Sequence, residues 1–386
     1  MNLDVRSKEL RRLIIRKIEV DKKGHIDKSQ TPKATFYSPL KFLHFKDHLN
    51  GLEQGKIMAP VHIRVKPTNH CNHNCWYCAY RADNLDLGED MVEKDSIPAE
   101  RMLSLAHEFV SMGIKAVTFS GGGEPLLYKP LTEVIEILAA GGVRVAALTN
   151  GSNLKGRVAD AFAKHGTWVR ISIDAWDDES YVKSRGAKAR DFSRLIENIR
   201  AFTARDTQCV LGVSLIVGQD NHQHILDVCT LLKDCKVNHV KVSGAVVSND
   251  AAGNNAYHKS IKGEVARQIK AAQELADERF AVLNHYHDLE DRFEKQYDSC
   301  PFLQFLTVIG ADQYVYTCQD KAYTQPGRMG SIKDRSFKGF WFSDENQKFL
   351  KTFNPSVQCG HHCVSHAKNL AMHDYFALDH EHANFV

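Results

Sequence analysis

From residue 61 to about 250 the chain repeats one unit, a short apolar-patterned run followed by a stretch with helical spacing. The runs fall at 62–67, 116–120, 143–149, 167–174, 209–217 and 239–247, and helices fill about 98–112, 130–141, 154–164, 191–204 and 221–234. Strictly alternating strand and helix demands a parallel sheet, because parallel neighbours can be joined only by a crossover long enough to hold a helix. Pro98 near the first helix start and Gly113 just past its end are the expected punctuation. Six such units fit an α/β fold, a partial (β/α)6 TIM-like barrel. A doubly wound open sheet would give the same pattern.

The strand faces say more. In 167–174, Val169, Ile171 and Ile173 share one face while Arg170, Ser172 and Asp174 share the other. The same split sets Arg64 and Lys66 opposite Ile63 and Val65, and Lys241 and Ser243 opposite Val240 and Val242. A strand under helices keeps its apolar face toward them. The polar set then points into the lumen, which looks built for a polar ligand.

Cys71, Cys75 and Cys78 follow the first strand at C-x3-C-x2-C spacing. Three thiolates on a short loop can hold three corners of an iron–sulfur cube and leave one iron open. The alternative is a closed zinc site completed by His70 or His73. The loop resembles the signature of the radical S-adenosylmethionine (SAM) superfamily, C-x3-C-x-aromatic-C, with Tyr77 as the aromatic residue. That resemblance implies that the open iron chelates SAM, whose reductive cleavage yields a 5′-deoxyadenosyl radical. It also implies the partial barrel and an electron donor such as flavodoxin or ferredoxin.

Ser120-Gly121-Gly122-Gly123-Glu124-Pro125 follows the second strand. Alone it is a tight strand-to-helix turn, and it lacks the Lys-Ser/Thr ending of a nucleotide P-loop. Glycines let backbone approach a ligand closely, and Glu124 adds a carboxylate that can accept from an ammonium group. It resembles the family's Gly-Gly-Glu motif, which implies that Gly122, Gly123 and Glu124 grip the SAM amino group. The resemblance further implies Tyr77 near adenine, Ser172 and Asp174 near the ribose, and Arg185 against the SAM carboxylate. Asn150, in Thr149-Asn150-Gly151 at another strand end, is a further candidate for SAM or substrate. Strand-end capping or a surface ion pair is the plain alternative for each.

A second set, Cys300, Cys318, Cys359 and Cys363, lies in the last hundred residues. An alternating hairpin, 305–309 and 314–316, turns at Gly310-Ala311-Asp312 between the first two cysteines. Four thiolates complete a cube with no open iron, or a closed zinc site. The segment resembles the shortened C-terminal auxiliary-cluster (SPASM/Twitch-type) domain of radical SAM enzymes, implying two [4Fe-4S] clusters per chain. His361, His362 and His366 flank the last pair, as cluster surroundings or plain surface. Cys209, Cys229 and Cys235 read as buried small hydrophobes.

The expected organisation is a helical N-terminal extension (1–60), the barrel (61–250), a helical connector (251–298) and a small α+β auxiliary-cluster domain (299–386). Fifty Lys+Arg against 47 Asp+Glu give a net charge of +3, which calls for neither nucleic acid nor membrane. The basic stretch before residue 34 has the helical spacing Leu10, Leu13, Ile14, Ile18 and reads as a solvated face. Residues 36–54 read as a second short helix, and both segments could lie against the barrel opening. Clustered cysteines without an apolar span or signal core point to metal ligation in the cytoplasm.

The order of parts is similar to the family's 2-deoxy-scyllo-inosamine dehydrogenase type. It implies a radical SAM oxidoreductase that dehydrogenates a polar sugar- or cyclitol-like small molecule, with the auxiliary cluster as electron acceptor. Lys241 or Arg170 would take the proton or bind an anionic substrate. Epimerisation, peptide maturation and a non-enzymatic metal-binding module are the alternatives.

Overall fold

Ten strands form one sheet in the order β10-β9-β8-β1-β2-β3-β4-β5-β6-β7. They are β1 (His62–Val65), β2 (Ala116–Phe119), β3 (Arg144–Thr149), β4 (Gly166–Ile173), β5 (Val210–Val217), β6 (His239–Gly244), β7 (Ala281–Asn284), β8 (Leu306–Ile309), β9 (Tyr314–Tyr316) and β10 (Arg328–Ser331). The structure is a computed structural model, and it describes residues 37–82, 84–287, 293–379, 381–382 and 385. The expected helix before residue 34 and its basic face lie outside the described residues. Pro39–Val386 make one compact unit.

β1 to β7 run parallel in sequence order. A doubly wound sheet would reverse its strand order at a switch point; this one never does, so the barrel reading holds. Each crossover carries at least one helix, among them Ala99–Ser111, Leu131–Ala140, Gly156–His165, Asp191–Thr203 and Ile225–Asp234. Their apolar stripes bury Ile63, Val65, Val117, Val145, Val169, Ile171, Leu211, Val213 and Val240 in one core. Full burial of each such side chain stabilises the fold by about 1.5–3 kcal/mol relative to exposure. The opposite faces stay half-buried, with Arg64, Arg170, Ser172 and Lys241 turned away from the helices.

Three features of the sheet and its crossovers depart from the sequence reading. The stretch expected as a helical connector holds Ala251–Lys259 and Lys262–Gln273, and also β7, which extends the parallel sheet beside β6. Its run, Ala281-Val-Leu-Asn, is too short to show a period. The hairpin β8–β9 forms as expected, but β8 also pairs in parallel with β1, His62 opposite Leu306 and Val65 opposite Ile309. A helix, Asp178–Arg185, follows β4; its start is fixed by a capping box between Asp177 and Ser180 rather than by an apolar stripe.

Helix Lys46–Glu53 and the 3-10 turn before it pack Phe42 and Leu49 on Phe305 and Met372. Phe305 precedes β8 and its carbonyl accepts from His62 N (2.9 Å) at the start of β1. This places the segment at the N-terminal ends of the strands, opposite the opening expected for it.

Candidate active site

The cysteine loop leaves the C-terminal end of β1, and the glycine turn after β2 clamps its base. Gly123 N donates to Thr68 O (3.1 Å) and Glu124 N to His70 O (2.8 Å). A Cβ on Gly122 would overlap the Asn69 carboxamide, and one on Gly123 the His70 carbonyl. The glycines are therefore needed for approach to the loop itself. From the other side, Asn74 N donates to Arg185 O (2.7 Å) and Trp76 N to Ser184 O (3.3 Å). Asn150 Nδ2 donates to Asn72 Oδ1 (2.9 Å).

Cys71, Cys75 and Cys78 are unpaired and half-buried. Burial pushes the Cys71 thiol up to about 11 and that of Cys75 upward, so stable thiolates there need a positive partner such as a metal. A single zinc ion holds its sulfurs roughly 3.8 Å apart, given Zn–S bonds of about 2.3 Å. Among the described residues, the one group of three or more His, Cys, Asp or Glu donors within 4.8 Å of one another is Cys318, Asp320 and His361. The three loop sulfurs do not all lie within 4.8 Å of one another.

Glu124 sits under the loop and is 2 % exposed. Its Oε1 accepts from Leu126 N (2.9 Å) and Thr149 Oγ1 (2.5 Å), and Oε2 accepts from Asn150 N (2.7 Å). Three donors leave this carboxylate about one free lone-pair site of roughly four. Burial raises its pKa, partly offset by those hydrogen bonds. Arg185 and Asp174, expected as separate SAM contacts, are joined: Nε to Oδ1 at 2.5 Å, both side chains nearly fully buried. Arg185 Nη2 is buried without a protein partner and remains available.

A cavity of about 740 Å³ opens at the ends of β4, β5 and β6, lined by Trp76, Tyr77, Asp174, Trp176, Gly218 and Asn221 among others. Trp176 stacks on His224 with ring centroids 3.8 Å apart. Asn221 fixes the floor, donating to Asp174 O (2.7 Å) and Ile216 O (2.8 Å) and accepting from Gly218 N (2.9 Å). The expected contacts thus divide. Tyr77 and Asp174 line the cavity, whereas Gly122, Gly123, Glu124 and Asn150 form the knot that fixes the loop beside it. Ser172 is half-buried on β4's lumen face. Trp76, Trp176 and Asn221 escaped sequence reasoning; a tryptophan two residues past a strand-end aspartate was the available signal.

Inside the sheet, Arg64 Nη1 donates to Gln319 Oε1 (3.2 Å). Burial and the Arg170 charge lower its pKa. Arg170 lies 5.9 Å from the Trp168 ring, and Lys241 is half-buried on β6.

Cys300, Cys318, Cys359 and Cys363 line one second cavity, together with Lys295, His361 and Asn369 among others. Hairpin β8–β9 carries Cys318 back toward Cys300, and helices Pro355–Gln358 and His366–Phe376 flank the last pair. Asn369 Nδ2 donates to Cys300 Sγ (3.2 Å). Burial raises all four thiols, Cys363 to about 11. Asp320 and His361 were not expected beside Cys318. Asp320 Oδ2 accepts from Val364 N (3.1 Å), and both ring nitrogens of His361 are buried without a protein partner. Burial and the charges of Lys295 and Lys321 lower His361 to about 3, so its imidazole is neutral. Cys209, Cys229 and Cys235 are buried in the core as expected. No described helix is long and apolar enough to cross a membrane.

Comparison with known proteins agrees with this geometry. Among curated relatives, an S-adenosylmethionine-dependent nucleotide dehydratase of Lacinutrix mariniflava is 33% identical over 117 residues, 29% of this chain and 23% of the relative. A GTP 3',8-cyclase of Aeromonas hydrophila is 26% identical over 181 residues, 46% of this chain and 52% of the relative. The chain thus spans about a quarter to a half of the length of these relatives. Streptococcus suis SuiB bound to S-adenosylmethionine superimposes with a TM-score of 0.58 at 13% identity, covering 81% of this chain and 72% of SuiB. Native anSMEcpe with bound AdoMet gives a TM-score of 0.53 at 15% identity over 82% of this chain and 96% of the other. These likenesses are of fold. Residues 65–232, which span the cysteine loop, the glycine turn and the strand ends around the large cavity, match the Radical SAM superfamily, so this part of the chain is a radical SAM domain.

Proposed function

We propose that the chain is a radical SAM oxidoreductase that dehydrogenates a polar, sugar- or cyclitol-like small molecule. The observation that carries this reading is the meeting of Cys300, Cys318, Cys359 and Cys363 in one cavity. Four thiolates complete a cluster with no open iron, which suits electron acceptance. Cys71, Cys75 and Cys78 are assigned the SAM-binding cluster. With SAM bound, that cluster supplies an adenosyl radical able to take a hydrogen atom from a C–H bond.

The chain's own residues do the rest. Glu124 offers its remaining lone pair to the SAM ammonium, beside Gly122, Gly123 and Asn150. Arg185 offers its free Nη2 to the SAM carboxylate and keeps Asp174 oriented at the cavity edge. Tyr77 packs against the adenine, and Ser172 serves the ribose. For an alcohol substrate the balance is one hydrogen atom to the adenosyl group, one proton to a base and one electron to the auxiliary cluster. Lys241, as its neutral amine, takes the proton, since a guanidinium does not deprotonate in a protein, and Arg170 binds the substrate. A flavodoxin or ferredoxin donor restores the reduced SAM-binding cluster.

The test is anaerobic turnover of reconstituted enzyme with a panel of sugars and cyclitols. The expected result is 5′-deoxyadenosine in equal amount to a product two mass units lighter. A redox-neutral product would replace dehydrogenation with epimerisation. Peptide maturation is the second reading, favoured by a specific likeness: SuiB bound to precursor peptide SuiA covers 92% of this chain. Peptides and nucleoside triphosphates, the latter prompted by the relatives' names, therefore complete the panel.

A further inference from the structure

Lys66 is fully buried at the C-terminal end of β1, and its main-chain N–H donates to Ile309 O (2.8 Å) at the end of β8. It stands at the seam between the strand that launches the cysteine loop and the strand beside the second cavity. Its ammonium donates to the Tyr80 hydroxyl (2.6 Å) and to the Gly121 carbonyl, and lies 4.2 Å over the Tyr80 ring. Among the described residues no carboxylate lies within ion-pair distance. Isolation of a buried ammonium from any anion costs several kcal/mol, so a countercharge belongs there.

The surroundings name it. Tyr80 is two residues past Cys78, and its hydroxyl donates to Gln319 O (3.3 Å) and meets the Gln319 carboxamide. Gln319 follows Cys318, and its Oε1 also takes Arg64. Burial and the Arg64 charge push the Lys66 ammonium well down, and the charges of Asp320, Cys78 and Cys318 act against that shift. One cysteine belongs to the loop and the other to the second cavity. Lys66 is thus tied through Tyr80, two residues past Cys78, to Gln319, which follows Cys318, by one hydrogen-bonded bridge.

We infer that Lys66 is a positioning residue shared by two iron–sulfur sites: its charge raises the reduction potentials of both clusters, and its bond to Tyr80 fixes the Cys78 loop to the Cys318 segment. The inference rests on the two-cluster reading above. A cation close to a cluster favours the more negative, reduced state, and hydrogen bonds near the sulfurs act the same way. Tyr80 and Gln319 give the coupling a short route that needs no mobile element.

The experiment is anaerobic EPR redox titration of reconstituted wild type, Lys66→Met and Tyr80→Phe, with iron and sulfide measured on each. The cluster signal that SAM perturbs is followed apart from the one it leaves unchanged. Lys66→Met should keep its iron and move both midpoint potentials to more negative values. Tyr80→Phe keeps the charge and loses the bridge, and should move both the same way by less. This second variant carries the test if Lys66→Met cannot be prepared folded. Full iron with unmoved potentials in either variant overturns the inference while leaving the two clusters standing. Movement of one signal alone overturns the shared role. A wild type with only the SAM-perturbed signal removes the two-cluster reading, and the inference with it.

Discussion

The two cysteine sites are built in opposite ways. The first packs three cysteines into one loop between Cys71 and Cys78, at the open end of the barrel and half-buried. Its shape is imposed from outside, by the glycine turn, by Asn150 and by the carbonyls of Ser184 and Arg185. The second draws its cysteines from separate segments spread from Cys300 to Cys363 and surrounds them with Tyr297, Leu303, Phe353 and Asn369. A loop leaves one coordination position for a ligand to reach; a walled cavity does not. On the reading proposed above, the difference is that between a site for chemistry and a site for electrons.

The sharpest way to break the comparison is to remove one site at a time. Wild type should hold about eight iron per chain, and Cys71/Cys75/Cys78→Ala about four with no SAM cleavage. Cys300→Ala/Cys363→Ala should also fall to about four, yet still form 5′-deoxyadenosine, because the loop is held by residues outside the second cavity. Loss of both clusters in either variant would show that the sites do not assemble separately. About four iron plus one zinc in wild type would leave the loop chemistry intact and remove the electron acceptor.

The next test loosens the wall of the loop. Asp174→Asn breaks the buried pair with Arg185, and Arg185 is the residue whose carbonyl holds Asn74. Loss of one partner of a buried pair costs about 3–5 kcal/mol, measured here by urea unfolding, and should weaken SAM binding while sparing the cluster in the second cavity. Gly123→Ala acts closer in, since its Cβ overlaps the His70 carbonyl. Overpacking of that kind costs about 1–3 kcal/mol, with iron lost from the loop before the cavity.

These residues also mark how far sequence could be read. The loop was legible because ligand spacing is local, and the barrel because strand and helix periods alternate over β1 to β6. The knot of Glu124 with Thr149 and Asn150 was legible only as separate strand ends: hydrogen bonds between neighbouring strands leave no spacing signal. β7 was missed because four residues carry no period. The pairing of β8 with β1 was missed because paired residues such as His62 and Leu306 lie 244 positions apart, and register between distant strands is fixed by shared burial rather than by a turn. His361 meets Cys318 only in the folded chain and so could not be seen as its neighbour, whereas Asp320 lies two residues on from Cys318, where nothing in the spacing marks it as a donor.

The strand common to both regions allows the smallest prediction, a test of whether they melt as one. His62 opens β1, its ring bonded to Thr118 Oγ1 at 2.8 Å. Burial first, then the charges of Arg64, Lys368 and Lys41, depress its pKa from 6.5 to about 3. The native state therefore refuses a proton that the unfolded chain accepts below pH 6.5. Its contribution to stability is complete above that pH and falls as pH drops toward about 3, by about 1.4 kcal/mol per pH unit for one proton. Urea midpoints between pH 7 and 5 should fall accordingly, and less steeply in His62→Gln. Because β1 launches the loop and also pairs with β8, iron should leave both sites in one acid transition. Two separate transitions would mean that the β1–β8 ladder does not bind the halves into one cooperative unit.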